Sequence, residues 1–272
     1  MQLLQKMANQ PDGSIFPTQA KIYDTGFDTV HTLILTDTVL AEEIDRLSKL
    51  NQTVCAQEIM DGLSKVASQL KLAHHGTKGL KANIHILELL CQFQSVLKEF
   101  HFNSKLIVEE SILACRSYQR ALLMLKNPTV AIKLIASTSK SQERIATTAE
   151  KLFDSCQTII KFSMTILCSE IMLELKERRV IDVNGLEEAF KSFDQAALLW
   201  ISIKNHCLTL NSNKIDLQVS ELNSEMLEGY IRGNGMNWLT FAHMNYIASK
   251  AIGNFAEAVD GILNNLPSHH HI

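Results

Sequence analysis

Proline is scarce in this chain of 272 residues, occurring only as Pro11, Pro17, Pro128 and Pro267. Because proline removes a backbone donor and clashes with the preceding helical turn, its absence leaves long uninterrupted helices open to most of the length. Aromatic residues are also few, at 6%. Runs of β-branched and aromatic residues alternating with period two are rare, which argues against a large sheet. The chain lacks a Lys/Arg block and its net charge is only −3. A dedicated nucleic-acid backbone binder needs an excess of positive charge, so nucleic acid is an unfavoured partner.

Other absences bear on chemistry. No HExxH occurs, no Glu-x-x-His repeats as in a di-iron bundle, and the six cysteines form no CxxC pair. Cys55, Cys91, Cys115, Cys156, Cys168 and Cys207 sit mostly within apolar helical patterns. They read as buried free thiols of a reducing compartment. No basic region followed by an apolar run opens the chain, so a cytoplasmic protein, or one delivered into a cytoplasm by a leaderless route, is expected. Neither a cofactor nor a metal is expected.

What is present is helical periodicity in a 46% apolar composition, which supports an ordered, all-α body. The expected architecture is an elongated, mostly antiparallel bundle of about five to seven helices. It occupies 17–266 as one domain, after a lead over 1–16 and before a tail over 267–272. Pro17 suits a first helical turn. Val30 to Thr36 has strand-like composition, but Phe27, Val30, Leu33, Ile34, Leu40, Ile44 and Leu47 favour helix by their spacing. Ile59, Leu63, Val66, Leu70 and Ala73 then alternate steps of four and three, a stripe that packs on a neighbouring helix.

Gly76-Thr77-Lys78-Gly79 should end that helix. A long segment from about Lys81 to Lys126 follows, with Ile86, Leu89, Leu90, Phe93, Val96, Leu97 and Phe100 on one face, extended by Ile107, Ile112, Leu113 and Leu122. His101 to Ser104 is a candidate kink. Asn127-Pro128 is the strongest helix start, a capping side chain followed by a proline whose missing donor the first turn does not use. Thr129 to Glu177 contains neither glycine nor proline, so one very long helix is expected. Its stripe is Ile145, Ala149, Leu152, Cys156, Ile159, Ser163 and Leu167. Asn184-Gly185-Leu186-Glu187 resembles a capping box before a helix from Leu186 to about Leu210, carrying Ala189, Phe193, Ala196, Trp200 and Ile203. Gly229 to Gly235 should form a turn before a final helix over Met236 to Leu266.

That final helix is the main functional candidate. From Gly229 to Ile272 the only charges are Arg232, Lys250, Glu257 and Asp260. Trp238, Leu239, Phe241, Met244, Tyr246, Ile247, Ile252 and Phe255 encircle much of its circumference. A helix apolar on several sides belongs in a core, against lipid or in an oligomer interface. Asn237, Thr240, Asn245, Ser249, Lys250 and Asn254 dilute it below a membrane-span pattern.

Other candidates point less far. His74 and His75 diverge by about 100° on a helix, and Asp28/His31 and His85/Glu88 are single pairs better suited to surface contacts. Glu170 and Glu174, beside Cys168, should face the edge of their stripe. The leading functional expectation is a non-enzymatic scaffold, adaptor or effector that acts through protein–protein contacts or self-association. The alternative is the soluble form of a membrane-active or pore-forming protein that exposes its apolar segment after a trigger.

Overall fold

A computed structural model of the chain describes residues 56–210 and 224–263. The expectations for the lead over 1–16, the helix from Pro17, the segment around Val30 to Thr36 and the tail over 267–272 lie outside the described residues. Within them the protein is all-α. Its segments are α1 (Ala56–Gly76), α2 (Ala82–Leu123), α3 (Pro128–Ala136), α4 (Thr138–Leu167), α5 (Glu170–Glu177), α6 (Val183–Phe190), α7 (Ser192–Thr209) and α8 (Ser224–Leu263). Ser137 and Lys191 each interrupt a rod by a single residue, so joining across them gives six helices. At about 1.5 Å per residue, the 42 residues of α2 reach roughly 63 Å.

Packing divides the chain into two compact units. Among the described residues, the first holds 105–149, 202–210 and 224–247, and the second 56–104, 150–201 and 248–263. α2, α4, α7 and α8 each contribute residues to both.

In the second unit, Ile59, Leu63, Val66, Leu70 and Ala73 are all buried, as their spacing requires, and α1 packs on α6. Gly62 permits a close approach, since a Cβ there would lie 2.5 Å from Ser192 Oγ. The interior is aromatic. Phe93 meets Phe193 and Phe255 edge-on, Phe193 stacks on Phe190, and Phe100 meets Trp200 at 5.3 Å. The pairs Phe93/Phe193 and Phe100/Trp200 advance together, so α2 and α7 run parallel there. Phe93/Phe255 and Ser104/Ser249 advance oppositely, so α2 and α8 run antiparallel.

In the first unit, Glu110 joins Ser141 and Arg144 while Ser117 meets Ser137, an antiparallel register of α2 on α4. Here α2 is enclosed on nearly all sides: over 107–122 only Arg120 is exposed. It passes the expected kink at His101 to Ser104 without a break, with Phe100 buried against Trp200 and Ser104 against Ser249.

Several expected boundaries are corrected. The single helix over Thr129 to Glu177 is three segments. At the first interruption Ser137, Thr138 and Ser139 donate their hydroxyls to the carbonyls of Leu134, Ile135 and Ala136, competing with the backbone ladder. At the second, Ser169 is extended (ψ 149°) and begins α5. The stripe lies between the two interruptions, within α4, and all seven of its positions from Ile145 to Leu167 are buried.

The expected turn at Gly229 to Gly235 is instead continuous helix within α8. Arg232 pairs with Glu228 one turn back, and Leu227, Ile231 and Trp238 are buried on the core side. This burial outweighs the weak helix propensity of glycine. The cap before Leu186 is also displaced. Asp182, not Asn184, accepts from the Gly185 amide at 2.8 Å, and the helix from there is divided at Lys191. A Cβ at Gly185 would lie 2.2 Å from the Asp182 carboxylate, so a larger residue there would require that side chain to shift.

Candidate interaction surfaces

The charge-poor segment of α8 faces inward. Trp238, Leu239, Phe241, Tyr246, Ile252 and Phe255 are buried, Met244 is half-buried, and Ile247 is 50% exposed. The exposed arc is narrow and carries Ile247, Lys250 and Asn254. Its buried polar residues do not lack partners: Asn234 Nδ2 bonds the Tyr230 carbonyl, Thr240 Oγ1 that of Met236, and Asn245 Nδ2 that of Phe241. Those bonds cancel the cost of burying amides and hydroxyls, so the helix can be polar and enclosed at once.

The first unit around it holds the molecule's most polar interior. Glu110 is buried and accepts from Ser141 Oγ at 2.8 Å and Arg144 Nη1 at 2.7 Å. The Tyr118 hydroxyl engages Thr138 and Trp238, while burial and nearby Tyr230 push its pKa upward. His206 packs edge-on against Phe241 at 5.3 Å, and burial lowers its pKa, favouring the neutral ring. Burial pushes the Cys115 and Cys207 thiols up to about 12 and raises Cys156 as well. Such thiols are poor nucleophiles at neutral pH. Cys91 and Cys168, in contrast, are exposed, which corrects the reading of all the thiols as buried; Cys55 lies outside the described residues.

The remaining titratable candidates do not converge. His74 is buried and its Nδ1 lies 2.8 Å from Asn83 Oδ1, whereas His75 points to solvent. Glu170 and Glu174 are exposed, and Glu174 pairs with Arg178. His85 and Glu88 form a surface contact at 3.5 Å. Among the described residues, no group of three or more His, Cys, Asp or Glu side chains is placed to hold a metal ion.

A surface missed by the sequence reading lies on the outer side of α2 in the second unit. Ile84, Glu88, Cys91, Ser95, Lys98 and Phe102 are all exposed and follow steps of four, three, four, three and four. They form one stripe about 27 Å long, opposite the buried Phe93/Phe100 face. Its ends are apolar, with Ile84 59% and Phe102 70% exposed. The signal was present as a second helical period on α2, masked by the stronger apolar stripe.

Compared with protein-family models, with curated proteins and with solved structures, the chain matches none.

Proposed function

We propose that the protein is a non-enzymatic helical interaction protein, a scaffold, adaptor or effector, that binds a protein partner along the outer stripe of α2. The observation that carries this reading is the pairing of Ile84 and Phe102, two large apolar side chains held in water on one face of a long helix. Covering such side chains removes about 1.5–3 kcal/mol each of unfavourable hydration. Glu88 and Lys98 between them supply opposite charges that fix register more than affinity. A stripe of this kind suits a partner helix laid along it.

Cys91 sits midway along the stripe and offers the test. A photo-crosslinker attached to Cys91 in a Cys55→Ser/Cys168→Ser background should capture a discrete, saturable partner from the native source. Phe102→Glu should abolish capture while circular dichroism stays unchanged. Equal capture by the Phe102→Glu protein would overturn the reading.

The alternative, release of α8 into a membrane, draws on the charge-poor composition alone. No helix of the described residues is long and apolar enough to cross a membrane, and release would require opening the bonds of Tyr118 with Trp238. A reducing compartment fits the free thiols, and we extend the proposal to a cytoplasmic location.

A further inference from the structure

A different surface carries a separate inference. From Gly62 to Leu87 the chain contains no Asp or Glu, yet it holds Lys65, Lys71, Lys78 and Lys81. The structure concentrates the later part of this stretch at the tip where α1 turns into α2. Gly79, at φ +81°, lets the chain reverse there, and Leu80 is left 45% exposed between Lys78 and Lys81. Leu72, one turn before Gly76 on α1, is 63% exposed. Lys71, Lys78 and Lys81 form no ion pair among the described residues.

A second turn nests against the first. A Cβ on Gly76 would come within 3.0 Å of the Val180 carbonyl oxygen, so the α5–α6 turn lies directly beside it. That turn exposes Val180 next to Arg179. Arg179 adopts φ +56°, and the amides of Arg179 and Val180 bond back to the carbonyls of Lys176 and Leu175. This is a helix ending that glycine fills without strain. Arginine in the left-handed region is strained relative to glycine, so the positive charge stands at a position where it weakens the fold. Glu177 and Asp182 are the carboxylates nearest to it in sequence, and Asp182 is occupied in capping α6.

We propose that these two turns form a docking surface for an anionic membrane. Apolar side chains at the apex of convex turns, rimmed by lysine and arginine, fit a deformable interface. The apolar groups enter the acyl boundary while the ammonium groups stay with lipid phosphates. The tip has no aromatic residue other than histidine for stacking on nucleic-acid bases, and charge complementarity selects anionic lipid over neutral lipid. This inference does not depend on the α2 stripe, and its failure would leave that reading standing.

The test is co-sedimentation of the full chain with phosphatidylcholine vesicles, with and without about one-third phosphatidylserine. Binding should require phosphatidylserine. Lys78→Gln/Lys81→Gln should weaken it roughly 30-fold, from about fivefold for each lysine near the surface. Leu80→Ser should weaken it about tenfold or more. A control, Lys151→Gln/Lys161→Gln, makes the same change of net charge at exposed positions on α4 and should leave binding close to that of the unaltered protein. No phosphatidylserine-dependent binding, or equal weakening by the tip and control variants, would overturn the proposal. An acidic protein as the true partner would show itself as the first of those outcomes.

Discussion

The two buried tryptophans of the described residues sit in different solvents. In the second unit, Trp200 packs on Phe100 and its indole N–H has no acceptor. In the first unit, Trp238 packs on Phe241 and its indole bonds the Tyr118 hydroxyl. The contrast extends to the surroundings. Of the fourteen buried polar or charged side chains among the described residues, nine lie in the first unit, Glu110, Gln119 and Asn245 among them. The second unit is held mainly by ring contacts, whose strength follows the apolar area they bury. The first is held by hydrogen bonds, which specify one geometry and penalise the loss of either partner.

The largest expected effect tests the aromatic interior. Phe93 touches both Phe193 and Phe255, so Phe93→Ala should destabilise by about 3–5 kcal/mol in urea denaturation. A cost below about 1 kcal/mol would mean that the second unit repacks freely. Next comes the tryptophan pair itself. Trp238→Phe and Trp200→Phe remove similar volumes, but only the first leaves the Tyr118 hydroxyl short of a donor. Trp238→Phe should therefore cost more than Trp200→Phe, by about 1–3 kcal/mol. Equal costs would erase the distinction between the two interiors.

Backbone effects are smaller and have opposite signs in the two units. In the second, Asp182→Ala removes the cap of α6 and should cost about 1 kcal/mol. In the first, Gly233 is a helical glycine at which a Cβ would meet nothing within 4 Å. Gly233→Ala should raise stability by about 1 kcal/mol, read as a shift in the urea midpoint.

The smallest effect is a pH slope. Burial lowers the pKa of His206 in the folded state, whereas the unfolded ring titrates near pH 6.5. Its penalty is therefore absent above about pH 7 and grows as pH falls through 6.5, because the unfolded chain then binds a proton that the folded chain excludes. In His206→Gln this part of the acid sensitivity should disappear. An unchanged slope between pH 7 and pH 5 would show that His206 accepts its proton in place.

The helical stripes were legible because burial on one face repeats every three or four residues, and Leu63, Phe93, Leu152 and Phe193 all face inward as that spacing demands. Asn127 was equally legible, since its side chain accepts from the Val130 amide as a local rule requires. The misplaced boundaries came from balances between local and tertiary terms. Gly229 to Gly235 looked like a turn by propensity, but Leu227 and Ile231 gain more from burial than the glycines cost. The break at Ser137 to Ser139 arose from hydroxyls competing for carbonyls, a cue too weak to read without the neighbouring turns. The charge-poor composition of α8 identified an unusual helix. Whether its apolar ring was covered or free depended on α2 and α7, which its own sequence does not describe. The outer stripe of α2 was overlooked because an exposed face is defined by what fails to pack on it.

The central claim is that the charge-poor segment of α8 is enclosed. Amide hydrogen–deuterium exchange resolved by mass spectrometry tests it most directly, by comparing residues 238–252 of α8 with 170–177 of α5. The account predicts that 238–252 exchange only with global unfolding, far more slowly than the short and largely exposed α5. Exchange of 238–252 as fast as that of α5 would contradict it and place the charge-poor helix at a surface.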